Sequence, residues 1–306
     1  MKFLVYTDSH FAIKTPVHRV DENYSATLLE KLKEIYQTAE NNDCECVLFL
    51  GDFYNSHRIY SYDLINDIIE IIDSTELKTY SLVGQHDLAG YNMDTYSTSA
   101  LCFTERHCKN LHTMWGPTKL GEKVICYPCH AYDDFNKALA SPVLETDFNI
   151  LAAHKLITMT KAVYETYVIS DFCPCVYDLI IFGDLHTGLE VTKYEGNTIW
   201  SPGALARQAI SEVKRKVRIG IVEVEGKECE INEIFLKSAK PAEEVFQVRH
   251  IENIRKRTQL NDSDGFIERI QGIEMESVDI FDLLDKVARE KKVKKEVINL
   301  ILSKKS

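Results

Sequence analysis

The sequence predicts an α/β protein with a sheet that is largely parallel at its centre. Five short apolar runs favour β-strands, helical patterns separate the first three of these runs, and each run ends next to Asp or His residues. A chain of 306 residues with 45% hydrophobic content can bury a substantial core. We therefore expect one large domain with a smaller appendage.

The predicted elements follow one another as strand, helix, strand, helix, strand. The five predicted strands are residues 2–7, 46–50, 79–83, 148–153 and 178–182. Apolar residues recur at helical spacing in the first two intervals, at Leu28, Leu32, Ile35 and Ala39 and then at Leu64, Ile65, Ile68 and Ile72. Residues 217–224 and 230–236 flank Gly226 and predict a hairpin in a second sheet.

Every predicted strand stops at side chains that can ligate metals. These are Asp8 and His10, Asp52, Gln85 with His86 and Asp87, His154, and Asp184 with His186. Any one of them alone would be typical of a turn or a helix cap. Together they are expected to converge, because functional groups in such sheets gather at the carboxyl ends of the strands.

The ligand types indicate the chemistry. Imidazole and carboxylate with no Cys at these strand ends favour manganese, iron, zinc or magnesium over a thiolate-rich structural site. Two such ions, about 3.5–4 Å apart, can activate a water and clamp the oxygens of a displacement at phosphorus. The pattern therefore predicts a two-metal phosphoesterase.

In order and spacing, these strand ends resemble the calcineurin-like metallophosphoesterase signature. The matching segments are Asp8-x-His10, Gly51-Asp52, Gly84-Gln85-His86-Asp87, His154 and Gly183-Asp184-x-His186. The resemblance spans about residues 1–205. It implies a two-sheet α/β/β/α sandwich with a small C-terminal α+β appendage, divided into a catalytic domain at 1–240 and a C-terminal segment at 241–306.

The same resemblance implies a role for each residue. One ion would be held by Asp8, His10 and His186, with Asp52 bridging to the second. The second ion would be held by Asp52, the amide oxygen of Gln85, His154 and Asp184. His86 is implied to stabilise or protonate the leaving oxygen, with Asp87 as its orienting partner.

Two positions depart from the commonest family pattern, and both belong to the second ion. Gln85 stands where the family usually has Asn, and Asp184 stands where many members have His. A carboxylate at 184 favours manganese or magnesium over zinc. The alternatives are that Gln85 only satisfies a turn and that Asp184 supports another ligand from outside the coordination sphere.

Within the family, the chain looks most similar to the SbcD-type nuclease subunit of the double-strand-break repair complex, including shorter versions carried by phages. The segments TDSHF, GDFYNSHR, GQHD and SPGAL carry this likeness. It implies a manganese-dependent DNA nuclease that acts as an exonuclease on duplex ends and an endonuclease on single strands or hairpins. The implied partners are DNA, an SbcC-type coiled-coil ATPase and a second copy of the chain.

Charge is unevenly distributed along the chain. Residues 1–200 hold 15 Lys and Arg against 28 Asp and Glu, a net −13, whereas residues 201–306 hold 21 against 19, a net +2. This argues against a broad basic groove but leaves room for local phosphate contacts. Arg58 is one candidate contact, with a solvated surface Arg as the equal alternative.

The last part of the chain carries no metal-type constellation. A helical pair is predicted at 278–305, and the sequence from residue 286 onward contains eight Lys and Arg but only two Glu. The resemblance implies a DNA-capping or ATPase-docking role for this segment. An ordinary intramolecular core face is the alternative reading of its apolar positions.

Other signals exclude whole classes of protein. The N-terminus shows neither a signal-peptide core nor a membrane span, so we expect a cytoplasmic protein, in the host cytoplasm for a phage, with reduced thiols at its nine Cys. The C-x-x-C-H pattern at 126–130 is therefore not taken as haem attachment. Two alternative functions stay open: a phosphatase or cyclic-nucleotide phosphodiesterase on the same fold, and a non-catalytic scaffold.

Overall fold

The computed structural model describes residues 1–141, 143, 147–161 and 166–246. The predicted helical pair at 278–305 and nearly all of the predicted segment 241–306 lie outside these residues. None of the helices in the described ranges combines the length and apolar character that a membrane crossing requires.

The described part of the chain contains long helices only near its beginning. The helices are α1 Tyr24–Asn41, α2 Tyr62–Asp73, α3 Ala100–His107, α4 Phe135–Leu139, α5 Ile169–Phe172 and α6 Ala242–Val245. The first two begin at side-chain caps, because Asn23 accepts from the backbone N–H of Ala26 and Ser61 accepts from that of Leu64. Both predicted helical patterns are thereby confirmed.

Fourteen strands are present in the described residues. The first seven are β1 Lys2–Tyr6, β2 Cys46–Phe49, β3 Lys78–Ser81, β4 Leu111–Thr113, β5 Thr118–Gly121, β6 Val124–Cys129 and β7 Phe148–His154. The others are β8 Ile157–Thr158, β9 Tyr167–Val168, β10 Leu179–Gly183, β11 Leu189–Tyr194, β12 Asn197–Ser201, β13 Arg218–Glu225 and β14 Glu228–Phe235. All five predicted strands and the predicted hairpin β13–β14 are confirmed, with small shifts at their ends.

Two six-stranded sheets form the body of the protein. The first has the order β14-β13-β1-β2-β3-β4 and the second has the order β11-β12-β10-β7-β6-β5. Strands β1 to β4 are parallel, and so are β12, β10, β7 and β6, whereas the hairpin β13–β14 and the edge strands β5 and β11 run antiparallel to their neighbours. The predicted parallel centre is therefore present in both sheets.

Alternating residues of each central strand face two different cores, as the period of two in a strand requires. In β1, Phe3 and Val5 pack into the core between the sheets, together with Ile181 of β10. Leu4 and Tyr6 face α1 and α2 on the outside of the first sheet. A third core covers the outside of the second sheet under α4 and α5. The layers are thus α/β/β/α, as predicted.

The two sheets approach each other closely at the carboxyl ends of their parallel strands. A Cβ added to Gly183 at the end of β10 would lie 2.4 Å from Thr7 Oγ1 and 2.7 Å from the backbone oxygen of Leu50, two groups of the first sheet. The loops that follow β1 and β2 are joined by a hydrogen bond from the N–H of Asp8 to the oxygen of Gly51, at 3.1 Å. This edge is where the predicted ligands were expected to converge.

Candidate metal centre

Glycines make room for the ligands at this edge. A Cβ on Gly84 would lie 2.1 Å from Asp52 Oδ1 and 2.2 Å from the backbone nitrogen of Asp52. A Cβ on Gly51, whose φ is +101°, would lie 2.4 Å from His154 Nδ1. Only a residue without a side chain allows this approach, so each Gly that precedes a ligand in the sequence is required by packing.

Four predicted ligands adopt the left-handed backbone conformation. The φ angles are +49° for Asp8, +45° for His10, +57° for Asp52 and +76° for Asp184. A non-glycine residue in this region costs of order 1–3 kcal/mol, and such residues concentrate at functional sites. The strain at four residues that follow three strands on one edge indicates that function, rather than stability, determines these turns.

The first group of ligands consists of Asp8, His10 and His186. The Nε2 atoms of the two imidazoles lie 3.0 Å apart, and they lie 3.8 Å and 3.7 Å from Asp8 Oδ1. Two donors bonded at right angles to one cation at about 2.1 Å would themselves be about 3.0 Å apart. This carboxylate and these imidazoles therefore suit a divalent cation.

The second group is built on Asp52 and His154, with Asp8 nearby. The Nδ1 atom of His154 donates a hydrogen bond to the backbone oxygen of Leu50 at 2.6 Å. The other ring nitrogen, Nε2, therefore faces Asp52 Oδ2 at 3.5 Å. Both facing atoms are buried, and neither has a hydrogen-bond partner among the described residues. Two buried acceptors that face each other fit a cation placed between them.

The electrostatics around Asp52 and His154 also favour a positive charge between them. Burial alone lowers the pKa of His154, but the neighbouring carboxylates, Asp52 first, outweigh burial and raise this pKa to about 10. Burial likewise lowers the pKa of His10, in this case to about 3, so that ring is neutral and can ligate. The cluster thus favours positive charge next to Asp52 while it keeps His10 unprotonated.

Asp52 lies between the two groups. Its Oδ1 accepts a hydrogen bond from the backbone N–H of His86 at 2.8 Å, and its Oδ2 lies 3.7 Å from His10 Nε2 and 3.5 Å from His154 Nε2. One carboxylate oxygen thus faces a member of each group. This is the position that a bridging carboxylate needs.

Gln85 and Asp184 contact each other beside the second group. The amide nitrogen of Gln85 donates to Asp184 Oδ1 at 2.6 Å, which leaves the amide oxygen as the atom that could coordinate a cation. Both residues line a cavity of about 300 Å³ together with His154. The structure brings them to the predicted place, and their coordination of an ion stays a prediction.

His86 stands at the mouth of the site, with its side chain 44% exposed. Its Nδ1 donates to the backbone oxygen of Asn55 at 3.2 Å, and its Nε2 lies 4.0 Å from Asp52 Oδ2. The group that holds the ring is thus Asn55 and not Asp87, which differs from the predicted pairing. The ring is free to meet a substrate from the solvent side.

Asp87 instead joins the loops that follow β2 and β3. Its buried carboxylate accepts from the backbone N–H groups of Phe53, Tyr54 and Gly84 at 2.9–3.3 Å. Burial raises the pKa of Asp87 to about 7, with nearby Asp52 adding to the effect and the backbone donors opposing it. The residue acts on His86 only through the shape of the loop that carries both.

Two side chains that contribute to the site were not predicted from the sequence. Glu212 Oε1 lies 3.5 Å from His186 Nδ1, and its other oxygen accepts from the N–H groups of Gln208 and Ala209. Thr7 Oγ1 donates to Asp8 Oδ2 at 2.7 Å. Glu212 adjoins none of the ligand motifs and so carries no local signal, whereas Thr7 directly precedes the first motif.

Arg58, the predicted phosphate contact, is exposed in the loop between β2 and α2. The same loop contains Asn55, whose backbone oxygen accepts from His86. Arg58 is therefore carried by a loop that reaches the site, and its contact with a phosphate stays a prediction.

No protein-family model and no curated protein matches the chain. Among solved structures, a dimetal phosphatase from Danio rerio is similar with a TM-score of 0.50 and 12% identity, covering 76% of this chain and 98% of its own. A protein of Thermus thermophilus has a TM-score of 0.48 and 12% identity, covering 76% of this chain and 97% of its own. At this identity the likeness to the dimetal phosphatase is one of fold, and it agrees with the predicted two-sheet α/β/β/α sandwich.

Proposed function

We propose that the chain is a two-metal phosphoesterase that cleaves phosphodiester bonds in DNA with manganese. The observation that carries the proposal is the convergence of five candidate ligands at one edge of the sandwich: four buried residues, Asp8, His10, Asp52 and His154, and the half-buried His186. Magnesium is the second choice of metal, because the set includes several carboxylates and contains no thiolate.

The residues divide into two ligand sets. Asp8, His10 and His186 would hold one cation, and Asp52 and His154, supported by Gln85 and Asp184, would hold the other. Bound cations would supply Lewis-acid activation of water and charge neutralisation at the phosphate. The non-catalytic alternative is disfavoured, because these side chains retain mutual geometry and His86 retains its open position.

His86 would act on the leaving oxygen. Because Nδ1 already donates to Asn55, a proton on Nε2 makes the ring an imidazolium that can transfer this proton to a departing sugar oxygen. The 44% exposure of the side chain gives a large substrate access to it. Asn55 thus fixes the ring plane, and the exposed nitrogen carries out the chemistry.

DNA is supported as the substrate by the SbcD-like segments and by local cations on an acidic chain. Lys214, Arg215 and Lys216 line a cavity of about 470 Å³ together with Glu212, the partner of His186. Cations beside a phosphoester site suit a polyanion. An SbcC-type ATPase partner and a homodimer within a recombination and repair complex belong to the same proposal and rest on the sequence resemblance.

The test is an assay of purified protein with manganese on end-labelled duplex, single-stranded circles and p-nitrophenyl phosphate esters. The unchanged chain is expected to cleave DNA, His86→Ala is expected to lose this activity, and the control His107→Ala, an exposed His on α3, is expected to keep it. Cleavage of small monoesters without cleavage of DNA would favour the phosphatase alternative. Cyclic nucleotides are assayed under the same conditions, and their cleavage without cleavage of DNA would favour the cyclic phosphodiesterase.

A further inference from the structure

Two exposed tyrosines contact each other, and one of them, Tyr132, lies directly beside the candidate metal centre. Tyr132 is 41% exposed and Tyr91 is 74% exposed, and their ring centroids are 5.9 Å apart with an interplanar angle of 67°. Tyr132 lines the cavity of about 300 Å³ that Gln85, His154 and Asp184 also line. Aromatic surface left in water next to a polar centre gains nothing for folding. A ligand is the simplest reason for it.

The loop that carries Tyr132 is held firmly. Lys155 Nζ donates to the backbone oxygen of Ala131 at 2.7 Å and to that of Asp133 at 2.6 Å. These two hydrogen bonds hold the backbone on both sides of Tyr132. The N–H of Ala131 donates to the oxygen of Val83 at 3.0 Å. Lys155 directly follows His154, so the end of β7 that presents a ligand also fixes Tyr132. A fixed aromatic ring loses little entropy when it binds a partner.

Tyr91 reaches the pair through a strained turn. Gly90 and Tyr91 have φ angles of +57° and +61°, and the left-handed region is costly for a bulky residue such as tyrosine. This turn lies in the loop that begins with His86. Tyr91 is therefore carried by the segment that continues from His86, and Tyr132 is carried by a loop that Lys155, the neighbour of His154, holds in place.

We infer that Tyr132 and Tyr91 form a stacking site for the nucleobase adjacent to the scissile phosphate. The inference rests on the proposed function and narrows its substrate to nucleotidyl phosphodiesters with an unpaired base at the cleavage position. Every base has a π-face, so this site binds without sequence preference. The angle between the rings allows a base to stack on one ring and meet the edge of the other.

The experiment uses the full chain with manganese and an end-labelled single-stranded oligothymidylate that contains one abasic residue. The cleavage map reports the rate at every linkage, so the linkages far from the abasic residue are the internal reference. We expect the unchanged chain to cut the linkage beside the missing base about 10-fold more slowly than the others, because stacking on an aromatic side chain contributes to binding each base.

Three variants complete the design. Tyr132→Ala is expected to slow cleavage of normal linkages about 10-fold and to remove the protection at the abasic position. Removing the base and removing the ring delete the same stacking contact, so the second change has no further effect on the rate. Tyr132→Phe is expected to restore both features. Phe103→Ala, which removes a 40% exposed ring on α3, is the matched control and should behave like the unchanged chain.

Each outcome decides the inference. Equal slowing of normal and abasic linkages by Tyr132→Ala would show that the ring only shapes its loop, and no slowing would show that it binds nothing; either result overturns the inference while DNA cleavage stands. A chain that cleaves neither this oligonucleotide nor bis(p-nitrophenyl) phosphate would overturn the proposed function and the inference with it.

Discussion

At the scale of single residues, the histidines of the site differ in what holds them. His154 donates through Nδ1 to Leu50, His86 donates through Nδ1 to Asn55, and His186 presents Nδ1 to Glu212. Each partner fixes which nitrogen faces the centre. The same ring type can therefore serve as a buried ligand in one position and as a proton donor in another.

Replacing His86 with Ala is expected to reduce DNA cleavage by about 10²–10⁴-fold, the usual contribution of a positioned acid. The loss should be smaller for p-nitrophenyl esters, because their leaving group departs as a stable anion and needs little protonation. Single-turnover rates on both substrates measure the difference. Equal losses would show that His86 acts in binding or metal retention rather than on the leaving oxygen.

Replacing Glu212 with Ala is expected to weaken metal binding about 10–100-fold, because His186 loses the carboxylate that orients it. A titration of activity against manganese concentration measures this loss, with the rate at saturating metal expected to recover. Glu212→Gln keeps a hydrogen-bonding oxygen, so its manganese affinity should lie between that of the unchanged chain and that of Glu212→Ala. An unchanged requirement for manganese would mean that Glu212 stabilises only the local turn through its hydrogen bonds to Gln208 and Ala209.

The residues of the site were predictable to unequal degrees. Asp8 and Asp52 lie shortly after apolar strands and His154 ends one, so short-range patterns in the sequence point to them. Asn55 and Leu50 contribute backbone oxygens, which leave no trace in residue type. Their roles depend on how two loops meet in the folded chain, and no spacing rule reports that.

At the scale of elements, five central strands and the hairpin β13–β14 were visible in the sequence, whereas several short or half-exposed strands were not. Strands β1, β2 and β10 are buried on both faces and so appear as continuous apolar runs. Short or half-exposed strands such as β8 and β11 lack that pattern. The pairing of β13 with β1 joins distant parts of the chain, so local periodicity could not predict it.

The turn between β3 and His86 depends on Gly84. Gly84→Ala is expected to destabilise the protein by about 1–3 kcal/mol and to abolish metal binding, because the new Cβ would meet backbone and carboxylate atoms of Asp52. Thermal unfolding and metal content measure both effects. Gly116→Ala is the control, since a Cβ there meets nothing within 4 Å. Normal metal content in Gly84→Ala would contradict the close-approach argument.

Helix α1 contains a buried cation that should make stability depend on pH. Burial, with Arg19, Arg207 and Arg215 nearby and only partly offset by Asp21, lowers the pKa of Lys31 to about 7. Between pH 7 and about 10 the unfolded chain therefore binds more protons than the folded one. The contribution of Lys31 to the free energy of unfolding should rise by up to about 1.4 kcal/mol per pH unit across this window.

Denaturant unfolding at several pH values checks this dependence. Lys31→Met is expected to remove the rise and to stabilise the protein at neutral pH, because no charge then needs to be buried. Lys33→Met, at an exposed position of the same helix, is the control and should keep the rise. If the free energy of unfolding of Lys31→Met still rose with pH, the pH dependence would have to come from other titratable groups.

At the scale of the whole molecule, the site exists because two sheets meet at one edge. Asp8 and Asp52 come from the first sheet, whereas His154 and Asp184 come from the second. Strand patterns predicted parallel strands, but the two-sheet arrangement was implied by the family resemblance. Part of the −13 charge of residues 1–200 also lies in these ligands, so the acidic balance belongs partly to the metal centre.

The most direct test of the two-metal claim is a calorimetric titration of the metal-free protein with manganese, followed by thermal unfolding. The account predicts two ions per chain and a stabilisation of about 2.7 kcal/mol for each bound ion at metal concentrations one hundred times its Kd. Asp52→Asn should lose at least one ion, whereas Asp43→Asn, an exposed Asp with nearly the same φ, should keep both. Binding of one ion or none, or two-ion binding that survives Asp52→Asn, would contradict the account.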